Sequence, residues 1–227
     1  MNYLRRILTI VGKDIAAEIR TKEMMNSMIV FVLLTLVIFN FAFGERLEGA
    51  AEASAGILWV AFLFAAVLGL NRVFVHEKDE GCLDGLMLCP VDRSVIYFGK
   101  ALASLIFISV VELIALPIFA IFFIRTSFLV NLWLLILVLI LSNVGIAAVG
   151  TLLSAISINT KARDLMLPIL FFPVIVPILI AAVKSTGLII SSPSLPGDVF
   201  VWLRMLAIYD IIFMLVGFLT FEYVLEE

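Results

Sequence analysis

Residues 126–160 read TSFLVNLWLLILVLILSNVGIAAVGTLLSAISINT, without one charged side chain. A bilayer core about 30 Å thick is crossed by roughly 20 apolar residues in a helix, so this run is longer than one crossing needs. In hydrocarbon every backbone N–H and C=O must be satisfied within the protein, which selects helix for such a run. We place a span at about 129–155. Working outward, similar blocks predict spans at Met24–Gly44, at Ala53–Leu70 with helix continuing to about Val75, and at Ala101–Ile124, Leu165–Val183 and Met205–Val224. The chain is 64% hydrophobic and 15% charged, against about 45–50% and about 25% in a soluble domain. Six spans and their connections use most of the 227 residues, which leaves no separate soluble domain. The expected fold is an all-α integral membrane protein with six transmembrane helices.

Residues 1–23 differ from the rest. Leu4, Ile7, Leu8, Val11, Ile15 and Ile19 recur at helical spacing, while Arg5, Arg6, Lys13, Asp14 and Arg20 fall largely elsewhere. This pattern predicts an N-terminal amphipathic interfacial helix leading into a transmembrane domain over 24–227. A cap packed on other protein helices is the competing reading. Acids among the bases, and no apolar core before Met24, argue against a secretory signal.

Charge placement predicts orientation. Eleven of the fifteen Lys and Arg fall on one side of a six-span layout: five in the N-terminal segment, four after span two (Arg72, Lys78, Arg93, Lys100), and Lys161 and Arg163 after span four. Arg46, Arg125, Lys184 and Arg204 fall on the other. Loops rich in Lys and Arg stay in the cytoplasm, so both termini are expected there.

The most polar connection is His76-Glu-Lys-Asp-Glu-Gly-Cys-Leu-Asp-Gly-Leu-Met-Leu-Cys-Pro-Val-Asp-Arg93. Five acids, two bases and a histidine would be costly in lipid, so it stands outside. Read as a helix over about 79–89, it places Leu83, Leu86 and Met87 on one face and makes a bare strip of Gly81 and Gly85, with Pro90 as the stop. Such a helix suits docking into a partner's groove. A solvated loop lying on the membrane surface fits the composition equally well.

Two acids fall inside spans, Glu112 and Asp210. Each must face the bundle interior, a partner or water, and Ser142 and Asn143 are candidate donors to Glu112. A gate or partner contact is one reading of these acids; a buried polar bond that fixes helix register is the other. Pro168, Pro173 and Pro177 bend span five, either as a static kink or as a hinge. Ser185–Pro196 reads as an outer loop. No convincing internal repeat is visible, which disfavours inverted-repeat transporters.

Enzyme and metal chemistry find little support. The Cys82 and Cys89 spacing is wider than the C-x₂₋₄-C of a zinc site, and no H-E-x-x-H is present. No G-x-x-x-x-G-K-[ST] loop exists, so ATP, if used, needs another chain's site.

Several stretches carry a family resemblance. Gly56-Ile-Leu-Trp-Val-Ala-Phe-Leu-Phe-Ala65, the elements His76-Glu, Glu80-Gly, Asp84-Gly-Leu and Pro90-Val-Asp-Arg93, and Phe98-Gly-Lys-Ala101 resemble the haem exporter protein B family of cytochrome c maturation (CcmB). Glu18-Ile-Arg-Thr21 and Asn159-Thr-Lys-Ala-Arg-Asp164 are similar to it as well, and the likeness runs co-linearly from about residue 10 to residue 220. The Asp-Gly-Leu…Pro-Val-Asp-Arg block is fairly specific; the apolar runs are not. Cys82 and Cys89 depart from the small apolar residues expected of the family.

The resemblance implies a six-span permease of the ABC-2 exporter type in a bacterial (or organellar) inner membrane. It implies that 76–93 is a coupling loop against a separate ATPase. By position, Glu77, Glu80, Gly81, Asp84, Gly85, Pro90, Asp92 and Arg93 would form that contact, with Lys161, Arg163 and Asp164 as a second, smaller one. Implied partners are a CcmA-like ATPase, CcmC-like and CcmD-like membrane subunits, and a CcmE-like haem chaperone that the assembly releases with ATP. Two copies of this chain are expected, with no catalytic residue and no nucleic acid. Haem iron is commonly held by His, Cys, Met/His or Tyr, yet the only histidine and both cysteines fall on the expected cytoplasmic side. We therefore expect no cofactor on this chain itself. The competing functions are a permease for a drug, lipid or polysaccharide, an ion-coupled secondary transporter using Glu112 or Asp210, and an integral membrane enzyme.

Overall fold

The computed structural model describes residues 3–43, 51–79, 81–82, 85, 92–123, 131–158, 160, 162–191 and 197–224. These form α1 (Tyr3–Thr21), α2 (Glu23–Phe43), α3 (Ala51–Leu70), the short α4 (Val75–Asp79), α5 (Arg93–Phe123), α6 (Leu132–Ser157), α7 (Arg163–Ser191) and α8 (Val199–Val224). Among the described residues six helices are long and apolar enough to cross a membrane: α2, α3, α5, α6, α7 and α8. The most buried are α3 and α6, which the other four surround. Val30, Leu34 and Ile38 on α2, and Ile208, Ile211 and Leu215 on α8, remain exposed as surface for lipid.

Glycines let the helices approach closely. A Cβ on Gly150 of α6 would strike the Leu70 side chain of α3, and one on Gly145 would strike Ile178 of α7. Small residues at such crossings are how membrane helices gain packing without a hydrophobic drive between them. Trp59 is buried in the core, and its Nε1 donates to Thr186 Oγ1 at 2.9 Å.

The start of α1 and the end of α8 both meet the start of α5. Tyr3 Oη donates to Ser94 Oγ at 3.0 Å, and an Arg93 guanidinium nitrogen donates to the Glu222 carbonyl at 2.6 Å. At this end Phe74, Tyr97 and Phe221 form a second small core with Ile96 and Leu152.

Several boundaries differ from expectation. Helix α3 stops at Leu70, short of Val75, and turns follow with Arg72 N–H on Gly69 O and Val73 N–H on Leu70 O. Side chains also hold this turn: Ser154 Oγ donates to Leu70 O at 2.8 Å and Lys100 Nζ to Val73 O at 2.8 Å. Helix α5 starts at Arg93 and holds 31 residues, about 46 Å at 1.5 Å per residue, so one end projects beyond the bilayer core. Helix α7 runs through to Ser191, although 185–196 reads as a loop. Its polar residues are satisfied internally, Ser185 Oγ on the Ala181 carbonyl and Thr186 on Trp59. Helix α8 starts at Val199, six residues before the expected Met205.

The expected helix over 79–89 is also corrected at its start. Asp79 ends α4, and Gly81 takes φ +66°. Gly81 N–H bonds Lys78 O at 3.2 Å and Cys82 N–H bonds Glu77 O at 2.8 Å, a Schellman closure that uses glycine's access to the left-handed region. Gly81 and Gly85 therefore do not share one helical strip.

Candidate functional site: the charged seat of the polar loop

The amphipathic α1 divides its apolar arc. Ile7 and Val11 are buried against Val95 of α5, with Ile10 and Ile15 beside them, while Leu4, Leu8 and Ile19 stay exposed. So α1 packs on protein along one edge and keeps another for lipid. Asp14 and Glu18 fall at 280° and 320° on a helical wheel started at Leu4 (about 100° per residue), inside the protein-facing edge. Glu18 accepts the Met25 N–H at 2.8 Å, one of the N-terminal amides of α2 that have no intrahelical partner.

Asp14 belongs to a buried cluster. Lys100 of α5 is 2% exposed and Glu77 of α4 is 5% exposed. The Lys100 ammonium donates to Glu77 Oε1, to Asp14 Oδ1 at 3.2 Å and to the Val73 carbonyl, and stands 5.3 Å from the Phe74 ring centroid. Lys13 pairs with Glu77 Oε1 from the other side and with Asp14 at 3.1 Å. Two acids and two lysines thus join α1, α4 and α5. Burial pushes the Glu77 carboxyl up, but the two lysines outweigh it and hold it below the ordinary 4.5. Burial likewise lowers Lys13, and its hydrogen bond to Glu77 with the charge of Asp14 outweighs that, holding it above 10.5. At the rim, Arg72 pairs with Glu23 at 3.0 Å.

The expected docking residues separate into groups. Glu77 is turned inward, holding α4 to α1 and α5. Arg93 is tied to the end of α8. Asp92, Asp164, Gly81 and Gly85 are exposed, and Asp92 O accepts the Val95 N–H that opens α5. Glu80, Asp84, Pro90 and Lys161, and the side chain of Arg163, lie outside the described residues. Lys13, Asp14 and Lys100 were missed as a cluster. The available signal was a carboxylate on the apolar arc of α1 and a lysine inside the continuous helix that begins at Arg93.

In the span region Glu112 is 2% exposed and accepts Asn143 Nδ2 at 2.6 Å. The same amide reaches Ser109 Oγ at 3.2 Å, while Ser142 Oγ, the other candidate donor, has no partner among the described residues. Asp210 is 5% exposed, both its oxygens lack a partner among the described residues, and a Cβ at Gly145 would come within 2.6 Å of its Oδ1. The two acids should respond differently. Asn143→Leu removes the donor to a buried carboxyl and should cost about 1–3 kcal/mol. Asp210→Asn breaks no bond and should leave stability unchanged or raised. Thermal melts of the detergent-solubilised variants check both, and an Asn143→Leu protein that melts like wild type would refute the register role of Glu112.

Six helices long and apolar enough to cross a membrane, with lipid-facing flanks, define a multi-pass membrane protein. The chain belongs to the CcmB protein family, whose family model matches residues 5–226. It is 30% identical over 171 residues to a heme exporter protein B of Rhodobacter capsulatus, covering 75% of this chain and 78% of that protein. A protein of that name from Haemophilus influenzae is 26% identical over 176 residues, 77% and 78% of the two chains. Another from Bradyrhizobium diazoefficiens is 23% identical over 203 residues, 89% and 90%.

Proposed function

We propose that this chain is the permease subunit of an ABC complex for cytochrome c biogenesis in a bacterial inner membrane, with both termini in the cytoplasm. A separate CcmA-like ATPase docks on loop 76–93, with Asp164, Lys161 and Arg163 as the lesser contact. Two copies of the chain face two ATPases. ATP is bound by that partner, and haem is handled by CcmC-like, CcmD-like and CcmE-like partners rather than ligated here.

The observation that carries the reading is the seat of the loop. Glu77 begins the loop and is bound by lysines of α1 and α5 at once. A force on the loop therefore acts on two helices through one carboxylate, which is what coupling to another chain's ATP cycle needs. Glu77 is then a positioning residue, and the exposed positions after it meet the ATPase. Transmission also needs the loop to bind the ATP-loaded and ATP-free partner unequally.

The test is co-purification with the ATPase and its stimulated hydrolysis, comparing wild type with Asp84→Arg and Gly85→Trp. Both substitutions should abolish capture and stimulation while the permease melts as wild type. Retention of both activities would sink the docking assignment. An ion-coupled carrier would instead transport in liposomes under a proton gradient with no ATPase present.

A further inference from the structure

We infer that the exposed arc of α1 is a docking surface for anionic phospholipid headgroups of the surrounding bilayer, with Arg20 and Lys22 as the principal contacts. This does not rest on the proposed coupling to an ATPase.

The two signs of charge on α1 are sorted by face. Both acids turn inward: Asp14 joins the buried cluster, and Glu18 accepts an amide at the start of α2. On the wheel started at Leu4, the exposed Leu4, Leu8 and Ile19 cover about the first 60°, and Arg5 and Arg20 follow at about 100° and about 160°. Thr9, Gly12 and Ala16 fall between them, small exposed residues over which a headgroup can come close, and a Cβ at Gly12 would meet open space. Lys13 and Arg6, next on the wheel, already have partners. Arg5, Arg20 and Lys22 are exposed and meet no acid among the described residues. The opposite arc, with Ala17, Glu18 and Thr21, walls a cavity of about 430 Å³ beside the charged cluster and plays no part in this surface.

Two further observations set the depth of the cations and single out Lys22. Only Lys22 separates α1 from α2, whose 21 residues extend about 32 Å, close to the roughly 30 Å of the hydrocarbon core. Arg20 and Lys22 therefore stand at the level of the lipid phosphates, with the exposed Ile19 beside them as an apolar anchor. Lys22 also has φ +57°, the left-handed conformation that glycine adopts freely and a lysine does not. The turn into α2 by itself calls for glycine or asparagine, so a lysine there is accounted for by what its ammonium meets. The neighbouring acid Glu23 is paired with Arg72 and answers neither cation. A phosphate whose headgroup carries no amine supplies the missing charge without a competing cation.

The experiment is native mass spectrometry of the purified full chain after exchange into equal phosphatidylglycerol, phosphatidylethanolamine and phosphatidylcholine. A base near an anionic lipid surface contributes about 1 kcal/mol, a factor of about five. Two such bases should retain phosphatidylglycerol about twentyfold over either zwitterion. Lys22→Gly should lower that preference about fivefold while the protein melts at or above the wild-type temperature, because the backbone strain is relieved. Adding Arg20→Gln should bring the preference close to one. Arg204→Gln, which removes an exposed base from α8, should leave it unchanged. Excess inorganic phosphate should not displace the lipid, since the apolar edge of α1 holds it too. Equal retention of the three lipids, or an equal loss in Arg204→Gln, would overturn the surface. Displacement by inorganic phosphate would overturn it by showing a plain phosphate site. A preference that survives the Arg20 and Lys22 double variant would overturn it as well, and loss of ATPase capture in that variant would then assign the arc to a protein partner.

Discussion

Lys100→Met should destabilise the protein by about 3–5 kcal/mol, the range found when one partner of a buried ion pair is removed. Lys100 is nearly inaccessible and is bound by Glu77, Asp14 and the Val73 carbonyl. Its loss leaves Glu77 to the half-exposed Lys13 alone. The cost lies mainly in the orphaned charge, so Glu77→Gln combined with Lys100→Met should recover most of it, since Lys13 and Asp14 still pair. Urea or heat denaturation in detergent of both single variants and the double variant measures the coupling. Equal losses that simply add would show that the cluster contributes no pairwise energy.

The pH dependence of this cluster has two edges. Glu77 titrates lower in the folded chain than unfolded, so its contribution is present above the unfolded value of about 4.5 and is lost as pH falls through the folded one. Lys13 titrates higher when folded, so its contribution is complete below about 10.5 and is lost as pH rises through the folded value. The contribution of this cluster should be flat between these edges and fall outside them, with the acid edge shallower in Glu77→Gln.

Gly217→Ala should also destabilise, against the trend of helix propensity. Alanine in a helix interior is favoured over glycine by about 1 kcal/mol. At 217, however, the added Cβ runs into the hydroxyl and ring of Tyr97, a side chain with no exposed surface whose Oη donates to the Ala148 carbonyl at 3.2 Å. Overpacking costs about 1–3 kcal/mol, and displacing Tyr97 adds the loss of a buried hydrogen bond, so the net should be a loss of about 1–3 kcal/mol. Tyr97→Phe removes the nearest colliding atom, and the double variant should be less destabilised than the two single losses together. A Gly217→Ala protein melting above wild type would contradict the close approach of α5 and α8.

Much of this molecule is legible in one dimension because lipid is a severe solvent. A run such as 126–160 has to be helical and has to cross, since no water is present to satisfy its backbone. The pairing of Glu112 with Asn143 is partly legible for the same reason, because a buried acid needs a donor and few polar residues are available. Boundaries are less so. Ser185 and Thr186 look like loop residues until Ala181 and Trp59 supply their partners. Gly81 looks like half of a helical strip until its positive φ shows it ending α4.

The six apolar spans, the amphipathic lead-in, the polar loop after span two and the family likeness can all be read along the chain, because each is a property of contiguous residues or of their helical spacing. The gathering of Lys13, Asp14, Glu77 and Lys100 into one cluster, with an open cavity beside it, emerges only from the packed bundle. Those charges lie up to 87 positions apart. Nothing local says that an acid on α1 and a lysine on α5 will be buried together. That follows from which faces the helices choose once their apolar stripes are packed, a choice made by the bundle as a whole.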